Sequence, residues 1–206
     1  MADQVRYQRH GRWSGQSGWS LMELVVVLAI IAVLAAIITP MIGSYVDRAR
    51  VSTARADVRA IATAIVQFST DTRNWPIYVD ISDIPDGDLY DALASDGDVA
   101  AINGSLATGA QWTGGTIGDL RAVINQNSIS LTTTGPRAWN GPYMNDVSTD
   151  PWGTKYYFNS GNLGPGIDRA VFVLSAGPDK TIDTEYNQAF DAAFVVGGDD
   201  LAHRIR

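Results

Sequence analysis

The chain has 206 residues, with 15 Lys and Arg against 22 Asp and Glu, a formal charge of −7 and no cysteine. An acidic balance without basic clusters argues against nucleic acid as a partner, and the missing thiols exclude disulfides, zinc–thiolate sites and cysteine catalysis. With only His10 and His203 as histidines, metal or acid–base chemistry would have to run on carboxylates.

The N-terminus carries Asp3 against Arg6, Arg9 and Arg12, whereas the chain beyond Gly18 has 12 basic and 21 acidic residues. Leu24 to Val46 is a run of 23 residues without a charge, enough helix to cross a hydrocarbon core about 30 Å thick. Basic residues on its N-terminal side alone orient that end to the cytoplasm. The run is too long for an ordinary secretory signal and ends at Pro40 and polar residues without a clean cleavage pattern. Glu23 stands at its threshold. Ser20-Leu21-Met22-Glu23 has the form of a capping box, but an acid beside a membrane usually has a partner. A cut after Gly18 would put the new amine of Trp19 within one helical turn of Glu23, and a neighbouring subunit's amine could then neutralise that carboxylate in a packed bundle.

The run SGWSLMELVVVLAIIAVLAAIITP resembles the leader junction and first helix of the type IV prepilin and pseudopilin superfamily. The resemblance rests on Gly18, Glu23, the aliphatic run and Pro40, with Trp19 standing where phenylalanine is usual. It implies that a prepilin peptidase cuts after Gly18 and methylates Trp19, and that Glu23 serves assembly. Pro40 and Gly43 disfavour helix interiors by about 3 and 1 kcal/mol and predict a kink near the membrane exit. The resemblance adds local unwinding there on assembly.

Val51, Ala54, Val58, Ile61, Ile65 and Phe68 form one apolar stripe at helical spacing, with Arg48, Arg55, Asp57 and Arg59 on other faces. Trp75-Pro76 forces extended backbone, so one helix is predicted from about Ser20 to Arg73. In the middle segment, DLYDALAS and TIGDLRAVINQ read as short helices, the second burying Ile117, Leu120, Val123 and Ile124. Asn103-Gly104-Ser105 has the form of a glycosylation sequon but reads as an exposed turn. Beyond Trp139, WNGPYM is a turn flanked by aromatics, TDPWGTKYYFN a turn entering a strand, and RAVFVLSAG a central strand.

The expected fold is α+β and pilin-like: a long N-terminal transmembrane and amphipathic helix, with a small antiparallel β-sheet packed on its C-terminal half. The expected divisions are a leader (1–18), the transmembrane part of the helix (19–46), its amphipathic half (47–75), a variable region (76–138) and a C-terminal β-region (139–206).

The order of WNGPYM, DPWGTKYYF, VFVLSAGPD and GGDDL resembles the G-type major pseudopilins of type II secretion systems. That resemblance implies calcium in the last loop, in place of the disulfide common in type IV pilins. It points to Asp179, the carbonyl of Ala176, and the pair Asp199 and Asp200. Here 18 residues, Lys180 to Gly197, separate the two parts of the motif, so Asp183 could replace one of the later ligands. Turn aspartates without a metal are the plain alternative. Asp183, Glu185, Asn187 and Asp191 imitate an EF-hand loop, but Gln188 and Phe194 occupy its glycine and closing-glutamate positions, so the match fails.

The resemblance implies a structural filament subunit of a secretion pseudopilus. It would reside in a bacterial inner membrane, with the C-terminal domain periplasmic. Its partners would be further copies of itself, prepilin peptidase, minor pseudopilins, the inner-membrane assembly platform and, before assembly, lipid. The alternatives are a type IV pilin of a surface fibre and a membrane-anchored calcium-binding module. No Walker A, G-x-S-x-G or dinucleotide motif supports an enzyme.

Overall fold

The computed structural model describes residues 18–80, 88–146 and 148–206, and the side chain of Pro40 is not described. The leader expected over 1–18 therefore lies outside the described residues except for Gly18, as does part of the variable region.

Helix α1 spans Leu21–Thr72. It starts where the cap chemistry places it: the Glu23 amide donates to Ser20 Oγ at 3.1 Å, satisfying one of the open donors of the first turn. Arg73, at φ 61°, ends it, and Thr72 Oγ accepts from the Asn74 amide just beyond. α1 is helical through Pro40 and Gly43, so unwinding there is not a feature of the single chain. Proline at 40 leaves the Ala36 carbonyl without its helical donor, and hydroxyls on either side, Thr39 to Ala35 O and Ser44 to Met41 O, bond the neighbouring turns.

The chain up to Tyr45 and the chain from Val46 form two units. In the first, the described side chains of α1 are exposed on every face. A helix apolar all round is a core or membrane element, and this one is long and apolar enough to cross a bilayer.

In the second unit, Ala54, Val58, Ile61, Ile65 and Phe68 are buried. Against this stripe lies a five-stranded sheet in the order β3-β1-β4-β5-β7. Its strands are β1 (Ala92–Ala94), β3 (Ile117–Asp119), β4 (Tyr156–Phe158), β5 (Phe172–Ser175) and β7 (Leu201–Arg204). β1, β4, β5 and β7 pair antiparallel, as expected; β3 adds a parallel edge to β1. The Tyr156 hydroxyl donates to Asp57 Oδ2 at 2.7 Å and ties the sheet to α1.

Two expectations for the middle segment need correction. DLYDALAS is not a helix but contains β1. In TIGDLRAVINQ, residues 117–119 are strand, and helix α2 runs only over Leu120–Gln126. Asp119 begins α2 by accepting from the Arg121 and Ala122 amides at 2.9 and 3.1 Å, and Leu120, Val123 and Ile124 are buried as expected.

The sheet is covered on both faces. Leu93, Tyr156, Phe158, Val171 and Val173 face the core built on α1 and α2. Their neighbours Ala92, Ala94, Tyr157, Phe172 and Leu174 face a second core with Trp112, Ile182 and Tyr186. That far cover is made by the middle segment together with the insertion after Asp179. The two are joined by β2 (Ala101–Ile102) and β6 (Thr181–Ile182), which pair parallel.

Candidate functional site: a processing junction and an acidic loop

Gly18 and Trp19 stand ahead of α1, with Trp19 73% exposed. Among the described residues a Cβ on Gly18 would meet nothing within 4 Å, so their packing does not require glycine there. The Glu23 carboxylate lies in the first turn of α1, where the helix dipole favours an anion. Among the described residues it has no hydrogen-bond or ionic partner, so its charge is available to a group from outside.

At the other end of the chain, β5 runs into the turn Ala176-Gly177-Pro178-Asp179, and the insertion returns to it at Gly197-Gly198-Asp199. Carboxylate oxygens of Asp179, Asp183 and Asp199 lie within 4.8 Å of one another. Asp200 is not in this group. Its Oδ2 accepts from the Asp183 amide at 2.9 Å and the Thr184 hydroxyl at 2.6 Å, so it braces the turn that carries Asp183. Ala176 is fully buried just beyond β5, three residues ahead of Asp179.

The crowding shows in the acidities. Burial and then the nearby Asp179 charge raise the Asp199 carboxyl above its ordinary range. Burial pushes Asp200 from 3.8 up to about 7. Asp199 Oδ1 and Asp200 Oδ1 are both shielded from solvent without a hydrogen-bond partner, an arrangement that carries a desolvation cost until something positive approaches. No Lys or Arg pairs with the three clustered aspartates among the described residues.

Two oxygens on one calcium ion, at 2.3–2.6 Å each, lie no more than about 5 Å apart, so the cluster fits a hard divalent cation. Glycine is required to build it. A Cβ on Gly197 would sit 2.0 Å from the Asp183 carbonyl, and one on Gly198, at φ +50°, would sit 1.9 Å from Asp183 Oδ2. Sequence reasoning missed these two glycines and also Asn103, whose amide donates to Asp183 Oδ1 at 2.6 Å. The sequon-like triplet was its one visible trace.

The EF-hand imitation has other work. Glu185 accepts from the Ala107 and Thr108 amides at 2.7 and 2.9 Å, and the Thr108 hydroxyl, the largest influence, holds its carboxyl below the usual range. Phe194 packs on Phe172 at 4.8 Å between ring centroids.

With no cation bound, the raised pKa of Asp200 gives a pH dependence. The folded state holds this proton more tightly than the unfolded chain. Stability from it is therefore greatest below pH 3.8 and declines as pH rises towards about 7. In chelator, the thermal midpoint of the wild type should rise more between pH 8 and pH 5 than that of Asp200→Asn; equal slopes would refute this assignment.

A cleavable-looking junction, a membrane-length helix and a sheet packed on its second half define a prepilin-like subunit. The comparisons agree. The prokaryotic N-terminal methylation motif matches residues 13–39, and the type II secretion system protein G model matches residues 116–191. The chain is 26% identical over 165 residues to the type II secretion system core protein G of Pseudomonas aeruginosa, covering 80% of this chain and 84% of that protein. No solved structure matches it. The chain is thus similar to type II secretion system protein G over most of its length, with the N-terminal methylation motif ahead of it.

Proposed function

We propose that this chain is a pseudopilin, cleaved after Gly18, inserted in the inner membrane by α1 with its second unit in the periplasm, and polymerised with further copies into a pseudopilus that drives export. Prepilin peptidase, the assembly platform and minor pseudopilins are its partners. The observation that carries the reading is Glu23, without a partner among the described residues, at the head of the apolar first half of α1 and five residues past Gly18, whose Cβ would meet none of the described residues. In a bundle of such helices, the amine freed at Trp19 of one subunit neutralises Glu23 of the next.

The test uses two substitutions. Gly18→Val leaves the fold intact, because its side chain enters open space. It should accumulate as an uncleaved membrane protein absent from filaments. Glu23→Ala should be cleaved normally, yet enter filaments about tenfold less or worse, since removing one partner strands the other charge in the apolar bundle at a cost of a few kcal/mol. Full incorporation of Glu23→Ala would reduce that residue to a cap.

We further propose that Asp179, Asp183 and Asp199 hold calcium, with the Ala176 carbonyl as a companion ligand and Asp200 bracing the loop. Calcium there supplies positive charge and fixes the C-terminal loop; it performs no chemistry. For the full chain in detergent, saturating calcium at about a hundred times Kd adds about 2.7 kcal/mol, or about 5–10 °C in thermal midpoint for a domain of this size. Gly198→Ala should lose that response, and a wild type indifferent to calcium and chelator would remove the metal.

A further inference from the structure

Asp183 comes from the insertion, and its carboxylate is aimed by groups on three sides. Its amide donates to Asp200 Oδ2, and its carbonyl and Oδ2 rest against Gly197 and Gly198. The third contact comes from outside the loop altogether, from the middle segment, where Asn103 Nδ2 donates to Asp183 Oδ1 at 2.6 Å.

Asn103 is itself held. Its amide N–H donates to the Ile182 carbonyl at 3.0 Å, which continues the β2–β6 pairing by one residue and brings 103 beside 183. Its Oδ1 accepts from the Ser105 amide at 3.0 Å and the Ser105 hydroxyl at 2.8 Å. A backbone N–H only donates, so Oδ1 must face Ser105 and the NH2 must face Asp183. The amide nitrogen that a glycan would need is thus already engaged.

The chemistry of this contact is specific. Lysine or arginine at 103 would neutralise Asp183 and compete with a cation. A neutral amide orients the carboxylate and leaves its charge in place, as hydrogen bonds to metal-ligating carboxylates commonly do.

We propose that Asn103 is a positioning residue for the cation cluster, through which the middle segment sets how tightly the C-terminal loop holds its ion. This rests on the calcium reading above.

Calcium affinity by titration calorimetry, with thermal midpoints in calcium and in chelator, tests it on the full chain in detergent. Asn103→Leu should weaken calcium about 10- to 100-fold. Thr108→Val loosens the same segment at Glu185, away from the cluster, and should leave the affinity unchanged. Asn103→Asp sets two carboxylates against each other. It should lower the midpoint in chelator and widen the calcium-induced rise beyond that of the wild type, and this comparison stands if the leucine variant does not fold. Unchanged affinity in Asn103→Leu, an equal loss in Thr108→Val, or no widening in Asn103→Asp overturns the role of Asn103 while leaving calcium intact. A wild type that binds no calcium overturns both.

Discussion

Asp150→Ala is expected to destabilise the folded unit by on the order of 4 kcal/mol, the cost of stranding several buried donors that now share one carboxylate. Asp150 is 3% exposed. Its Oδ1 accepts from the Trp152 and Thr154 amides at 3.0 and 2.8 Å, and its Oδ2 from the Thr154 and Ser175 hydroxyls. The Asp-Pro-Trp-Gly turn is thereby tied to the last residue of β5, from which the acidic loop departs. Asp150→Asn keeps the shape and one accepting oxygen, while the hydroxyls of Thr154 and Ser175 can turn to accept from the new amide. It should cost about half as much. Thermal melts in detergent check both, with a drop of about 10 °C expected for alanine. An alanine variant melting with the wild type would mean that the turn closes without its carboxylate.

The parts of this fold that were legible in the sequence are those whose partners lie nearby in the chain. The stripe from Val51 to Phe68 repeats at helical spacing because one face of α1 meets one sheet, and Ser20 and Glu23 mark the helix start three residues apart. Asp150 announces a turn because its amide partners are Trp152 and Thr154. β1 was not legible. Ala92 and Ala94 point into one core and Leu93 into the other, so a strand buried on both faces shows no polar alternation, and an Ala/Leu run reads as helix.

The parallel pairing of β3 with β1 was hidden for a related reason. It depends on Gly118, where a Cβ would meet Leu93 and Tyr90 at 2.6–2.7 Å, and no local signal announces such an approach. At the acidic loop, the sequence showed which carboxylates were eligible but not which converge. Asp200 follows Asp199 directly, yet turns back to the Asp183 amide while Asp199 faces the cluster. That choice is made by the glycines at 197 and 198 and by a two-residue ladder between segments some 80 positions apart, too short and too distant to leave a period.

Residues 180–197 separate the two parts of the acidic loop, and the second core gives them a structural role. Without Ile182, Tyr186 and Phe194, the far face of the sheet, with Phe172 and Leu174, would lack much of its cover. The middle segment supplies the rest, and one of its side chains stands at the centre of that cover.

That side chain is Trp112, and Trp112→Ala is expected to cost about 3–5 kcal/mol, as for a large aromatic deleted from a packed interior. The ring is fully buried and meets Tyr157, Phe172 and Tyr186 edge-on, with centroids at 6.2, 5.4 and 4.9 Å. Its Nε1 donates to the Thr184 carbonyl at 3.0 Å, one residue from Asp183, so the indole holds the segment that presents the cluster. Trp112→Phe keeps most of the ring volume and loses only that bond, which should cost about 1–2 kcal/mol and largely preserve the proposed calcium response. Trp112→Ala should lower the thermal midpoint by about 10 °C or more and weaken the calcium response as well, because the insertion loses its anchor. The proposed processing junction belongs to a separate unit, so cleavage after Gly18 should proceed in both variants. If Trp112→Ala melted normally, or lost stability while binding calcium as tightly as the wild type, the far cover would be independent of the loop it frames.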